Sequence, residues 1–155
     1  TTMDGDTSGS ISPIAAVDKY FIMEWLKYAE NTLKYVGLSN VNNLTPTAEL
    51  RPLNKKQEDE TDLMPFKVLV EIERWAIQHK YSPTMIYEKM KPAYGADIKN
   101  WIKKFFSLWS INQWKRERLA PSFHMDAFNV DPRTWCRFPI LSSGFDEELD
   151  ELEKI

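Results

Sequence analysis

The chain has 155 residues, 43% of them hydrophobic and 13% aromatic, with 20 Lys and Arg against 23 Asp and Glu for a formal net charge of −3. That length suits one domain that buries about two-thirds of its unfolded surface, while the lone Cys136 excludes an internal disulfide framework or a cysteine-rich zinc site. With His79 and His124 as the two histidines, any metal would need carboxylate ligands; no apolar run is long enough to span a membrane and no secretory leader opens the chain, so it reads as cytoplasmic.

Residues 4–13 are turn material, with Gly5, Gly9 and Pro13 among small hydroxylated residues. The chain opens Thr1-Thr2-Met3 without an initiator, and the expectation is a piece of something longer. Asp18 then starts an amphipathic helix with Ile22, Trp25, Leu26, Ala29, Leu33 and Val36 at helical spacing, Gly37 as its C-cap and a break near Asn31. Residues 38–63 show no sustained periodicity and read as a long loop. Pro65 suits the first turn of a second helix burying Val68, Leu69, Ile72, Trp75 and Ala76. Ser82-Pro83 is a helix start, with Ser82 as N-cap, for a short third helix ending before Pro92. A fourth begins near Ala96, capped around Gly95, with a stripe of Ile98, Trp101, Ile102, Phe105 and Trp109 and with Lys99 and Lys103 opposite. Leu119–Gly144 reads as extended with turns, and Arg137–Leu141 as a short edge strand, Pro139 permitting only an edge. The tail forms a last helix with Phe145, Leu149, Leu152 and Ile155 on one face. There is no internal repeat, and the outline is mostly α-helical with loops and little strand.

Charge is unevenly spread. The tail from Phe145 holds six acids and one base, which leaves 19 bases against 17 acids in the body. The acidity belongs to the tail, and the body can hold an anion locally, where bases gather at Lys99–Lys104 and Lys115–Arg118.

Several segments are candidate sites, each with an ordinary competitor. Asp4–Gly9 feeds a helix carrying Lys19 in its first turn, an arrangement suited to anions; the competitor is a plain Asp-Gly turn. It matches neither a Ca²⁺ loop nor a GxxxxGK[ST] phosphate loop. The acids of Gln57–Asp62 suit the helix dipole, or else a mobile lid or a metal-binding segment. Lys99–Arg118 mixes bases with Trp101, Phe105, Phe106, Trp109 and Trp114, as an RNA-binding or membrane-surface helix would, but core spacing favours packing. Lys115-Arg116 falls where that helix ends and is better placed to meet a ligand. Cys136 reads as a structural thiol, and His124 is an acid or base whose partner the sequence does not identify. No Ser-His-Asp or Cys-His constellation stands out.

Taken in order, four stretches resemble the C-terminal part of the NAD synthetase family, most closely its glutamine-dependent bacterial type. They are Thr1-Thr2-Met3-Asp4-Gly5-Asp6 with Ser12-Pro13-Ile14 and Val17-Asp18-Lys19; Pro46-Thr47-Ala48-Glu49-Leu50; Gln57-Glu58-Asp59-Glu60 with Asp62-Leu63; and Gln113-Trp114-Lys115-Arg116 with Ala120-Pro121. The resemblance implies a parent α/β domain of the Rossmann-like adenine nucleotide alpha hydrolase fold, within the N-type ATP pyrophosphatases. Residues 1–63 would carry the substrate loop, first helix and lid, residues 64–118 helices, and residues 119–155 an extended segment and the acidic tail helix. The implied reaction is ATP-dependent, Mg²⁺-requiring adenylation of the nicotinate carboxylate of deamido-NAD, followed by attack of ammonia to give NAD and AMP. Asp6 and Lys115 match family positions that bind deamido-NAD, and Thr2, Lys19 and Thr47 match positions that bind ATP or phosphate. Residues 53–62 would belong to a mobile lid.

The departures are equally definite. The family's Ser-Gly-Gly-x-Asp-Ser pyrophosphate loop does not occur in the chain. Its Arg-Ser-Glu segment, whose glutamate helps hold Mg²⁺, would lie just before Thr1, and the glutaminase domain with its Cys-Glu-Lys triad is also absent. Trp114 stands where some small ammonia-dependent members have histidine. The expectation is a C-terminal fragment that carries part of the site and is inactive alone, within a homo-oligomer that takes ammonia from glutamine and binds neither nucleic acid nor membrane. Two other classes remain: a non-catalytic helical interaction module, and a nucleic-acid binder using Lys99–Arg118.

Overall fold

The computed structural model describes residues 9–47, 60, 63–127 and 136–155. The chain divides into two compact units, residues 17–70 and residues 1–16 with 71–155.

In the unit of residues 17–70, α1 (Lys19–Asn31) starts where the sequence places it. Asp18 is its N-cap, and the carboxylate accepts a hydrogen bond from the Phe21 amide at 2.6 Å. The helix stops at Asn31, so Leu33 and Val36 lie outside it and are exposed. Thr32 is the C-cap, donating its N–H to the Tyr28 carbonyl, in place of the expected Gly37. Lys34 then takes a left-handed conformation with φ 63°, and its ammonium bonds the Asn31 carbonyl at 2.7 Å. Ala29 alone is buried in α1; Phe21, Trp25 and Tyr28 are exposed. The predicted loop after residue 38 begins instead with ordered turns, a 3-10 turn at Val36–Leu38 and α2 at Ser39–Asn42. A four-residue helix is too short to persist alone. Asn42 ties it back to α1, donating to Glu30 Oε2 at 2.6 Å and to the Leu26 carbonyl at 3.3 Å.

The boundary between the units falls within α3 (Phe66–Glu73). Pro65 sits one residue ahead of that helix, and its carbonyl accepts from the Leu69 amide. Val68, Ile72 and Ala76 are buried as expected, with Ile77 added. The helix widens into a π-helical segment at Arg74–Gln78, and Lys80 then turns the chain at φ 58° so that Tyr81 stacks on Trp75 with ring centroids 5.2 Å apart.

The unit completed by residues 71–155 holds four further helices among its described residues. α4 (Pro83–Tyr94) is capped by Ser82, as expected, but runs through Pro92. Proline gives no N–H to the carbonyl four residues back and its ring crowds that carbonyl, so its place in the last turn confines the disruption to the end of the helix. Gly95, with φ 74°, ends the helix; it is the C-cap of α4 and not the start of the next helix. α5 (Ile98–Ile111) buries Ile98, Ile102, Phe105, Phe106 and Trp109 and packs against α4. α6 (Gln113–Arg116) is one further turn, and α7 (Asp146–Glu153) is the acidic tail helix. α7 packs on α4 through the fully buried Leu152, while Glu153 pairs with Lys103 of α5. Ile155, expected on the buried face, is exposed.

No strand occurs among the described residues, which corrects the edge strand expected at Arg137–Leu141. That segment instead delivers Phe138 into an aromatic cluster, where its ring stacks on Phe145 at 5.1 Å and lies 5.4 Å from Trp109. The parent Rossmann-like sheet is likewise not among the described residues. Gly144, at φ 79°, makes the turn into α7, and a Cβ there would meet Ser110 Oγ at 3.0 Å. Gly144→Ala is therefore expected to cost about 1–2 kcal/mol of stability, from the left-handed backbone conformation alone. A urea unfolding midpoint equal to that of the parent chain would contradict this.

Candidate functional site

Five residues were expected at the site. Thr2 and Asp6 lie outside the described residues, as do residues 53–59, 61 and 62 of the expected lid. Lys19 and Thr47 fall in one unit and Lys115 in the other.

Lys19 is the first residue of α1 and is exposed, with its ammonium 5.2 Å from the centroid of the Phe66 ring. The contact is a cation–π interaction within one unit. The expected anion-binding helix start needs one correction, because the Asp18 carboxylate already occupies the N-cap of α1. The positive end of the helix dipole is thereby partly neutralised. Thr47 is exposed, in irregular chain after α2. Glu60, expected in a loop, is helical, and it accepts a hydrogen bond from the Phe66 amide at 2.7 Å at the start of α3, the capping role the helix dipole favours.

Lys115 lies on α6, exposed, with its ammonium 5.8 Å from the centroid of the Trp114 ring. Gln113 and Arg116 of the same turn are engaged inward, while Trp114 is exposed. Gln113 is fully buried, and its Oε1 accepts from Arg116 Nη2 at 2.8 Å and Nε at 3.2 Å. Gln113 Nε2 donates to Glu117 Oε1 at 2.9 Å, and Arg116 Nη2 also donates to the Trp109 carbonyl. Burial pulls the Arg116 guanidinium below its ordinary value, while Cys136, Glu73 and Glu117 push it back up. The buried Cys136 thiol is raised by desolvation, against the pull of Lys80 and Arg116, in keeping with a structural thiol. Gln113 is the residue the sequence pattern did not single out. The signal was there: 113 is four residues beyond Trp109 and continues the buried stripe.

The α5 aromatics expected as a base-stacking alternative are committed elsewhere. Phe105, Phe106 and Trp109 are buried, with ring centroids 5.3–5.9 Å apart. Lys99 lies over the Tyr87 ring and Lys103 pairs with Glu153. His124 is exposed. No group of three or more His, Cys, Asp or Glu that could hold a metal occurs among the described residues. None of the described helices is long and apolar enough to cross a membrane.

No protein-family model matches the chain. Among curated proteins, the glutamine-dependent NAD(+) synthetase of Arabidopsis thaliana is 26% identical over 162 residues, covering 94% of this chain and 22% of its own length. A putative glutamine-dependent NAD(+) synthetase of Schizosaccharomyces pombe is 29% identical over 133 residues, covering 81% of this chain and 19% of its own. The crystal structure of a glutamine-dependent NAD(+) synthetase from Cytophaga hutchinsonii is 52% identical and matches with a TM-score of 0.77, over 99% of this chain and 24% of that one. The chain is homologous to the C-terminal part of glutamine-dependent NAD(+) synthetases. It spans about a quarter or less of the length of these synthetases. The order of the four sequence stretches and the helical outline thus have one common explanation.

Proposed function

We propose that this chain supplies the C-terminal part of an amide ligase that converts deamido-NAD to NAD. The observation that carries the reading is 52% identity, with a TM-score of 0.77 over 99% of the chain, to a glutamine-dependent NAD(+) synthetase. In the proposed reaction, the nicotinate carboxylate attacks the α-phosphorus of ATP and pyrophosphate leaves. Ammonia drawn from glutamine then attacks the acyl carbon and AMP leaves. Both steps build up negative charge on phosphates that cations and N–H donors must hold in place.

On this reading Lys19, Thr2 and Thr47 bind ATP or its phosphates, and Asp6 and Lys115 bind deamido-NAD. Lys19 and Lys115 are both exposed residues, which supports these roles. The described residues do not fit a Mg²⁺ site, because no cluster of metal-binding side chains occurs among them; no step is assigned to the ion. The whole enzyme is proposed as a cytoplasmic homo-oligomer in which upstream synthetase and glutaminase portions complete the site. The exposed Phe21, Trp25 and Tyr28 of α1 favour a protein-contact role as the second reading.

The test is to assay the 155-residue chain alone and joined to the upstream region of the synthetase. The chain alone is expected to form no NAD. The joined protein should form NAD with ATP and deamido-NAD, releasing AMP and pyrophosphate in equal amounts. A folded joined protein that forms none would leave the contact module as the better reading.

A further inference from the structure

We infer that Arg116 is a positioning residue for Lys115: anchored to buried Gln113 and to the Trp109 carbonyl, it sets the direction in which the Lys115 ammonium leaves the protein. The inference rests on the proposed role of Lys115.

The element that carries Lys115 is weak by itself. α6 has four residues, and its backbone bonds include a 3.1 Å contact from the Lys115 amide and a 3.3 Å contact from the Arg116 amide, both to the Asn112 carbonyl. A single helical turn does not hold itself. What holds this one is a side-chain network. Gln113 is the one buried polar residue among those described, and both ends of its amide are used, Oε1 by Arg116 and Nε2 by Glu117.

The second anchor is the end of α5. Its last carbonyls lack helical partners and form the negative end of the dipole. Arg116 Nη2 donates to one of them, the Trp109 carbonyl. A guanidinium suits the task because its planar fork reaches Gln113 Oε1 and this carbonyl together, which a single ammonium on a flexible stem does not reproduce.

Turning Arg116 inward has a geometric consequence. Successive residues on a helix point about 100° apart. With Arg116 pinned to the end of α5, Lys115 is directed outward, where its ammonium lies over the exposed Trp114 ring. There is an electrostatic consequence too. The charge of Arg116 is spent on carbonyl oxygens and on the field of Glu73 and Glu117. Of the two adjacent cations, Lys115 is then the one left exposed to an anionic ligand.

The test is a double-mutant cycle in the joined protein, with kcat and KM for deamido-NAD measured separately. Lys115→Ala should raise KM about 10- to 100-fold, the range for a lost hydrogen bond to a charged group. Arg116→Lys keeps the charge and loses the fork, and should raise KM about 10-fold with kcat changed less than about 3-fold. In the Lys115→Ala background, Arg116→Lys should add less than about 2-fold, because its effect acts through Lys115. Effects that multiply, or an Arg116→Lys protein of unchanged KM, would overturn the inference. A Lys115→Ala protein with normal KM would instead refute the assigned role of Lys115; if that protein still forms NAD, the synthetase reading stands without it. Should Arg116→Lys not fold, Gln113→Leu removes the acceptor of Arg116 at similar volume. It must show the same non-additivity, and multiplying effects there would equally overturn the inference.

Discussion

Lys19→Ala in the joined protein is expected to lower the rate of NAD formation about 10²- to 10³-fold, the loss typical of one electrostatic contact to developing charge. Stability should change by no more than about 0.5 kcal/mol, as for most surface substitutions. The contrast between those two numbers separates the possible roles of the residue. Lys19 stands at the first position of α1, at the positive end of the helix dipole, where a cation is locally unfavourable. Its contact with Phe66 is worth about 0.5–1 kcal/mol at an exposed position and little more than offsets that. A phosphate-binding role predicts that turnover, and not stability, responds to the substitution. The measurements are steady-state turnover with saturating ATP and deamido-NAD, and a thermal midpoint on the same preparation. Retention of full activity would reject the phosphate-binding role, and a large drop in the midpoint would make Lys19 a structural residue.

The second large effect belongs to the core. Phe106→Ala is expected to cost about 3–5 kcal/mol. Phe106 is 2% exposed, and its ring meets Phe105, Trp109 and Phe145 at centroid distances of 5.3, 5.9 and 4.7 Å. These contacts hold together α5 and the entry to α7, so removing the ring leaves a cavity bounded by side chains that cannot all collapse. Set against a typical domain stability of about 5–15 kcal/mol, that loss consumes a large share. Near-ultraviolet circular dichroism would report it, since the three neighbouring rings change surroundings together. Phe106→Leu should lose much less, because most of the volume is kept. Equal losses for the two variants would show that the cluster is not packed around this ring.

Part of this architecture is legible without coordinates because its causes are local. Asp18 and Ser82 cap helices in the sequence as they do in space, each side chain accepting an amide three residues on. The stripe Ile98, Ile102, Phe105 and Trp109 is buried because helical spacing puts those residues on one face. What misleads is also local. Gly37 resembles a C-cap, yet α1 ends six residues earlier, and Pro92 resembles a stop signal yet lies inside α4. Around the end of α1 the competing contacts come from further along the chain, such as the tie from Asn42 to Leu26 and Glu30. The expected strand at Arg137–Leu141 fails for a related reason: Phe138 packs on Trp109 and Phe145, and the described residues offer no strand for an edge pairing.

The excess of acid that the composition shows has the same history. By itself the sequence determined that the acids gather in the tail, that the tail is a helix, and that the body resembles an NAD synthetase. Only the tertiary structure decided that the tail packs on α4 through Leu152, that Glu153 is spent on Lys103, and that of Lys115 and Arg116 one faces outward and the other is anchored. Caps and periodicities act over three or four residues and can be read in order. Pairings across 50 residues, as between Lys103 and Glu153, depend on how helices meet, and no local pattern encodes that.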